Sequence, residues 1–171
     1  SIIDECVNLG IRRIRFTGGE PLLFKNINEA LMYAKSKNLF VTVNTNATLI
    51  TKEIKKILFS HVDDLLVSIQ GFSPASDKKL TLGTSDFTQK MININQMNSR
   101  IPLLRTGTII SRTLINNFEK YRHLMKSLGI KYWDLYRPMA QTFSEEFNIS
   151  KKDLVTLIHY VKKSRLQGYN I

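Results

Sequence analysis

The chain has 171 residues, 43% of them hydrophobic, and 25 Lys and Arg against 14 Asp and Glu leave it a net charge of +11. That size and balance fit one soluble globular domain with a sizeable core, and the apolar runs are too short to span a bilayer. A single cysteine, Cys6, excludes an internal disulfide framework and fits a reducing, cytoplasmic setting. The lysines are scattered over helix faces and helix ends. They read as solvated surface, with a nucleic-acid partner as the lesser alternative, since no nucleic-acid-binding signature is present.

The elements alternate between two periods. Residues 12–17, "RRIRFT", read as a strand. Asn26 with Glu29 three residues on predicts a capping box opening a helix on Ile27, Ala30, Leu31 and Ala34. "LFVTVN" (39–44) is β-branched and apolar, hence a strand. Thr51 starts a short helix carrying Ile54, Ile57 and Leu58. "DLLVSIQ" (64–70) is a nearly continuous apolar run, as expected of a strand covered on both faces, with Asp63 and Asp64 as the turn before it. Phe87, Met91, Ile94 and Met97 mark a helix, and "LLRTGTIIS" (103–111) a fourth strand. Phe118, Tyr121, Met125 and Leu128 form the next helical stripe. "KYWDLYR" (131–137) is the fifth strand. Ser150 with Asp153 caps a last helix on Leu154, Leu157, Ile158 and Val161.

"LGIRR" at 9–13 and "LGIKY" at 128–132 are the same junction: a helix ends in Leu, a left-handed Gly follows, and a strand begins. Strands and helices alternating in this way predict βαβ units and a parallel sheet, open or part of a barrel. In either case ligands bind at the carboxyl ends of the strands. Those ends read "TGGEP", "NTNAT", "SIQG", "IISRT" and "YRPM". The first carries most information. Gly18 and Gly19 let backbone approach a ligand, and Pro21 fixes φ just after them. Unpaired carbonyls there, with Glu20 beside them, suit an ammonium group; a plain structural turn is the alternative.

"FTGGEPLL", then "VNTNATLI", then "VDDLLVSIQG" resemble, in order and spacing, the radical S-adenosylmethionine superfamily, with Ala47 where that family usually has Gly. The resemblance implies an α/β partial (β/α)6 TIM-like half-barrel of five mostly parallel strands with helices outside. It also implies S-adenosylmethionine across the strand ends, chelating a [4Fe–4S] cluster that cleaves it to a 5′-deoxyadenosyl radical for hydrogen abstraction. On that basis Gly18, Gly19, Glu20 and Pro21 hold the methionine amino group. Ser68 and Gln70 lie near the ribose or carboxylate, and Asn46 shapes the pocket floor. Ile109 and Ile110 contact adenine, partly through backbone, Arg112 pairs with the carboxylate, and Arg137 lies near the nucleoside. "GFSPASDKKLTLG" resembles members acting on peptides or complex small molecules.

One feature departs from the family, whose cluster needs three closely spaced cysteines as CxxxCxxC. Cys6 is alone, on a helix preceding the "TGGEP" strand, and reads as an ordinary helix-face residue. The expectation is therefore a single-domain fragment, residues 1–171, lacking the first barrel strand and the cluster loop, inactive by itself, its cluster present only in a longer parent. Strand 12–16 then has an open edge that invites an oligomer. Two rival readings are a non-catalytic module binding RNA through its basic surface and a barrel fragment binding phosphate at its Gly-rich loop. His61, His123 and His159 lie apart and offer no metal site.

Overall fold

A strand can return parallel to its predecessor only through a crossover of a dozen or more residues, and each strand run in this chain is followed by helix-forming sequence. The computed structural model, which describes residues 1–138 and 144–171, shows the result. Helix α1 (Ile2–Asn8) precedes β1 (Arg13–Phe16); α2 (Ile27–Ser36) leads to β2 (Phe40–Thr45) and α3 (Lys52–His61) to β3 (Asp64–Ser68). Two helices, α4 (Pro74–Leu80) and α5 (Phe87–Met97), bridge to β4 (Leu103–Ile109). Two more, α6 (Arg112–Asn116) and α7 (Phe118–Ser127), bridge to β5 (Tyr132–Tyr136), and α8 (Lys151–Leu166) follows.

All five strands are parallel, in the order β1-β2-β3-β4-β5. Right-handed crossovers that always step to the next strand keep the helices on one side. This is the winding of a barrel, and the sheet is a half-barrel. Its outer face is apolar: Val41, Val43, Leu65, Val67 and Ile69 are fully buried, and they pack with Leu31, Leu58, Ile94, Met97, Phe118 and Met125 from the helices. Each such side chain contributes about 1.5–3 kcal/mol on burial. The inner face carries the alternate residues, which are mostly polar.

Gly10 and Gly129 both adopt positive φ, +79° and +66°, as the repeated "LGI" junction requires. Thr51 and Ser150 cap α3 and α8, the latter in a capping box with Asp153. Asn26 sits at the start of α2 but makes no side-chain cap bond, so the box expected with Glu29 does not form. The strands are shorter than the apolar runs, because the ladder ends where the chain turns into the site loops. Ile158, placed in the apolar stripe, is half exposed. Helices α4 and α6 were not expected; each begins at a serine N-cap, Ser73 and Ser111. β1 pairs only with β2, so among the described residues its other edge is open. No helix of the described residues is long and apolar enough to cross a membrane.

Candidate functional site

The chain leaves β1 through Thr17 into Gly18, whose φ of +134° only glycine adopts readily. Gly19 follows with nothing within 4 Å of the place where a Cβ would stand. Both glycines are exposed, and among the described residues neither exchanges a hydrogen bond through its backbone. The loop is anchored instead by Glu20. Its Oε1 accepts from Leu22 N–H at 3.1 Å and Thr45 Oγ1 at 2.7 Å, and its Oε2 accepts from Asn46 N–H at 2.7 Å. A carboxylate offers about four acceptor positions, so most of this one is spent joining the ends of β1 and β2. Pro21 then opens a single 3₁₀ turn, Pro21–Leu23, rather than an α-helix. The helix N-terminus that a phosphate loop needs is absent directly behind these glycines.

Inside the half-barrel, at the carboxyl ends of the strands, lies a cavity of about 610 Å³. Ser68, Gln70, Ile109 and Arg137 line it, as do Asn44 and Arg15, and it reaches the β1 loop at Thr17. Gln70 is held firmly. Its Oε1 accepts from Ile109 N–H at 3.0 Å and its carbonyl from the Tyr121 hydroxyl at 2.6 Å. Burial pushes the Tyr121 hydroxyl pKa well above its ordinary value, so it remains a donor. The next residue, Gly71, donates to buried Asp77 Oδ1 at 3.1 Å, and Lys90 Nζ lies 3.5 Å from the same oxygen. A Cβ at Gly71 would sit 2.1 Å from the Asp77 backbone nitrogen, so only glycine fits. Burial lowers the Lys90 pKa, and the Asp77 charge opposes that shift. Asn44 Oδ1 is buried in the cavity wall and, like Asp77 Oδ2, has no partner among the described residues.

The sequence pattern of the Radical SAM superfamily matches residues 1–112. The chain belongs to that superfamily. It is 27% identical over 137 residues to an AdoMet-dependent heme synthase of Nitratidesulfovibrio vulgaris, covering 80% of this chain and 37% of that protein. To a probable GTP 3',8-cyclase of Methanococcus maripaludis it is 31% identical over 83 residues, covering 48% and 28%. Streptococcus suis SuiB bound to S-adenosylmethionine superimposes with a TM-score of 0.77 at 18% identity, over 97% of this chain and 38% of that one. The form bound to precursor peptide SuiA gives 0.81 at 17%, over the same shares. The chain thus spans less than half the length of each of these proteins. At such identity the SuiB likeness shows the fold, a half-barrel.

Not every residue expected at a radical SAM site faces the cavity. Ser68, Gln70, Ile109 and Arg137 do. Asn46 instead turns its Oδ1 onto Thr48, accepting from its N–H at 2.9 Å and its hydroxyl at 2.6 Å, which builds the loop rather than a pocket floor. Ile110 is buried in the core on the helix side. Arg112 opens α6 and donates from Nε to the Asn148 carbonyl at 3.3 Å, and it is not among the residues lining the cavity. Gly18 to Pro21 border it without lining it. Met139, the last residue of "YRPM", lies outside the described residues.

Sequence reasoning missed Arg15, Asn44 and Tyr136, which line the cavity, and a polar network below it. Asp63 and Asp64 are no simple turn. Asp63 pairs with Lys35 at 2.5 Å and accepts from Val41 N–H at 2.8 Å. Buried Asp64 takes Arg105 Nε and Nη2 at 2.9 and 2.7 Å, and Arg105 Nη1 also pairs with Asp134. The available signal was polar residues at every second position of strands otherwise read as apolar.

The residues present fit S-adenosylmethionine: bare exposed backbone at Gly18 and Gly19, an unsatisfied acceptor on Asn44, and Arg137 at the rim. They do not fit a [4Fe–4S] cluster. Cys6 is the single thiol of the sequence, and among the described residues no three His, Cys, Asp or Glu stand close enough to hold a metal.

Proposed function

We propose that this chain is the nucleotide-binding part of a radical S-adenosylmethionine enzyme and that the upper cavity takes S-adenosylmethionine. The observation that carries the reading is Asn44 Oδ1 in a cavity at the strand ends, beside glycines, with neither that oxygen nor the glycine backbone hydrogen-bonded among the described residues. A buried acceptor without a donor costs about 1–3 kcal/mol, and a ligand ammonium or hydroxyl would satisfy it. The carbonyls at Gly18 and Gly19 would accept from the methionine amino group. Ser68 and Gln70 would meet the ribose, Ile109 would pack on adenine, and Arg137 would attract the carboxylate or cover the nucleoside. Glu20 acts mainly by holding the loop.

When bound beside a reduced cluster, S-adenosylmethionine supplies radical hydrogen abstraction; the thiolates for such a cluster would have to come from outside these 171 residues. The isolated chain therefore binds the nucleotide without cleaving it. The relatives' names, a heme synthase and a GTP cyclase, and the peptide bound to SuiB support a small-molecule or peptide substrate. Calorimetric titration with S-adenosylmethionine tests the reading. The expected dissociation constant is roughly millimolar to high micromolar, equivalent to about 4–6 kcal/mol. Asn44→Ala and Glu20→Ala weaken it, and Glu29→Ala, on the outside of α2, leaves it unchanged. Equal effects from all three would refute the site.

A further inference from the structure

A second cavity of about 620 Å³ lies deeper on the inner face, toward the amino ends of the strands. Three guanidinium groups, from Arg13, Arg15 and Arg105, line it against one carboxylate, Asp64. The charges there are not equivalent. Arg105 is paired with both Asp64 and Asp134, and Asp64 also accepts from Thr42 Oγ1 at 3.3 Å. Both carboxylates of this face are thus committed to Arg105.

Arg13 and Arg15 stand on the same face of β1, two residues apart, and both are exposed. Among the described residues neither has a carboxylate within 4.0 Å. Arg13 is nonetheless held in place, since its guanidinium stacks 4.3 Å above the Phe40 ring. Two uncommitted forks in a concavity, one of them held over a ring, are suited to binding planar or tetrahedral oxyanions bidentately. Arg15 also lines the upper cavity, so a molecule gripped here would extend toward the S-adenosylmethionine site.

We propose that Arg13 and Arg15 bind an oxyanion group of the substrate, a carboxylate or a phosphate, in this lower cavity. As a statement about substrate, it rests on the reading that S-adenosylmethionine occupies the upper cavity. The anchoring group then sits on β1 while the reacting carbon projects toward the nucleotide, and remote binding energy fixes its orientation. Arg105 with its two acids forms the rigid floor.

The test is to titrate the whole chain separately with inorganic phosphate and with succinate at constant ionic strength, following the arginine Nε–Hε signals by NMR. Saturable shifts of Arg13 and Arg15 are expected with one of the two probes, and the tighter one identifies the anion. Arg13→Ala should weaken that probe about tenfold, the loss of one charge-assisted fork, and Arg13→Lys should recover only part. Arg100→Ala, whose guanidinium lies over Phe59 away from this cavity, should change nothing. S-adenosylmethionine is titrated into the same variants. Retained nucleotide binding with no saturable shift at Arg13 and Arg15 overturns the oxyanion site alone. Saturable shifts there without any nucleotide binding uphold the anion site and overturn the reading of the upper cavity. Shifts at Arg100 as large as those at Arg13 also overturn the proposal, since the effect is then general screening.

Discussion

The two faces of the sheet carry the same strands and opposite chemistry. Outward, Val43, Leu65, Val67 and Ile69 are wholly buried under helices. Inward, one residue away in each strand, stand Asn44, Ser68, Arg15 and Arg105. A doubly wound sheet would bury both faces and would read as apolar at every position. Here the crossovers all fall on one side, so only one face is paid for by packing, and the other is free to hold polar groups. Apolar packing is concentrated on the outer face and polar side chains on the inner one.

The largest break in that contrast comes from Leu65→Ala, which should cost about 2–5 kcal/mol because the site cannot collapse; Arg13→Ala on the inner face should stay within about 0.5 kcal/mol. Urea unfolding of both variants checks this. The inner face is not uniformly soft, however. Asp64→Ala leaves Arg105 with only Asp134, and should cost about 2–3 kcal/mol, less than for a fully buried pair because Arg105 reaches solvent.

A smaller effect separates α1 from the rest. α1 buries no residue completely and is tied to α2 by Asp4, whose hydrogen bonds from Tyr33 and Lys37 hold its carboxyl well below the usual carboxylate range. A depressed carboxylate contributes stability above its unfolded value, and that contribution is lost as pH falls through the folded one. Amide protection in α1, measured relative to the intrinsic exchange rate, should therefore fall below about pH 4 before that in β3 does. The smallest effect is at Ala47, buried with φ of +57°. Replacing it with Gly removes about 1 kcal/mol of left-handed strain and loses a methyl worth about 0.8 kcal/mol, so the melting temperature should hardly move.

The strands were legible because β-branched runs separated by helical stripes admit few other arrangements, and the repeated "LGI" junction marked where helices stop. The division between the faces was signalled only by the alternate polar residues. "DLLVSIQ" is a nearly continuous apolar run, and Asp64 at its start resembles a turn until Arg105, 41 residues later, is placed beside it. The "TGGEP" loop was legible as a bare glycine turn at a strand end, whereas the hydrogen bonds of Glu20 were not, because its partners Thr45 and Asn46 are 25 and 26 residues away. The surroundings of Arg112 were not legible for a local reason. "IISRT" reads as strand and loop, but Ser111 caps α6, and Arg112 at its start donates to the Asn148 carbonyl.

Amide and side-chain NMR signals followed during titration of the chain with S-adenosylmethionine test the division most directly. Saturable shifts are expected at Gly18, Gly19, Gln70, Ile109 and the Asn44 side-chain amide, with Val155 and Ile158 of α8 unmoved. Shifts confined to the helices, or none up to about 10 mM, where a ligand bound by about 4 kcal/mol would saturate its site, would contradict it.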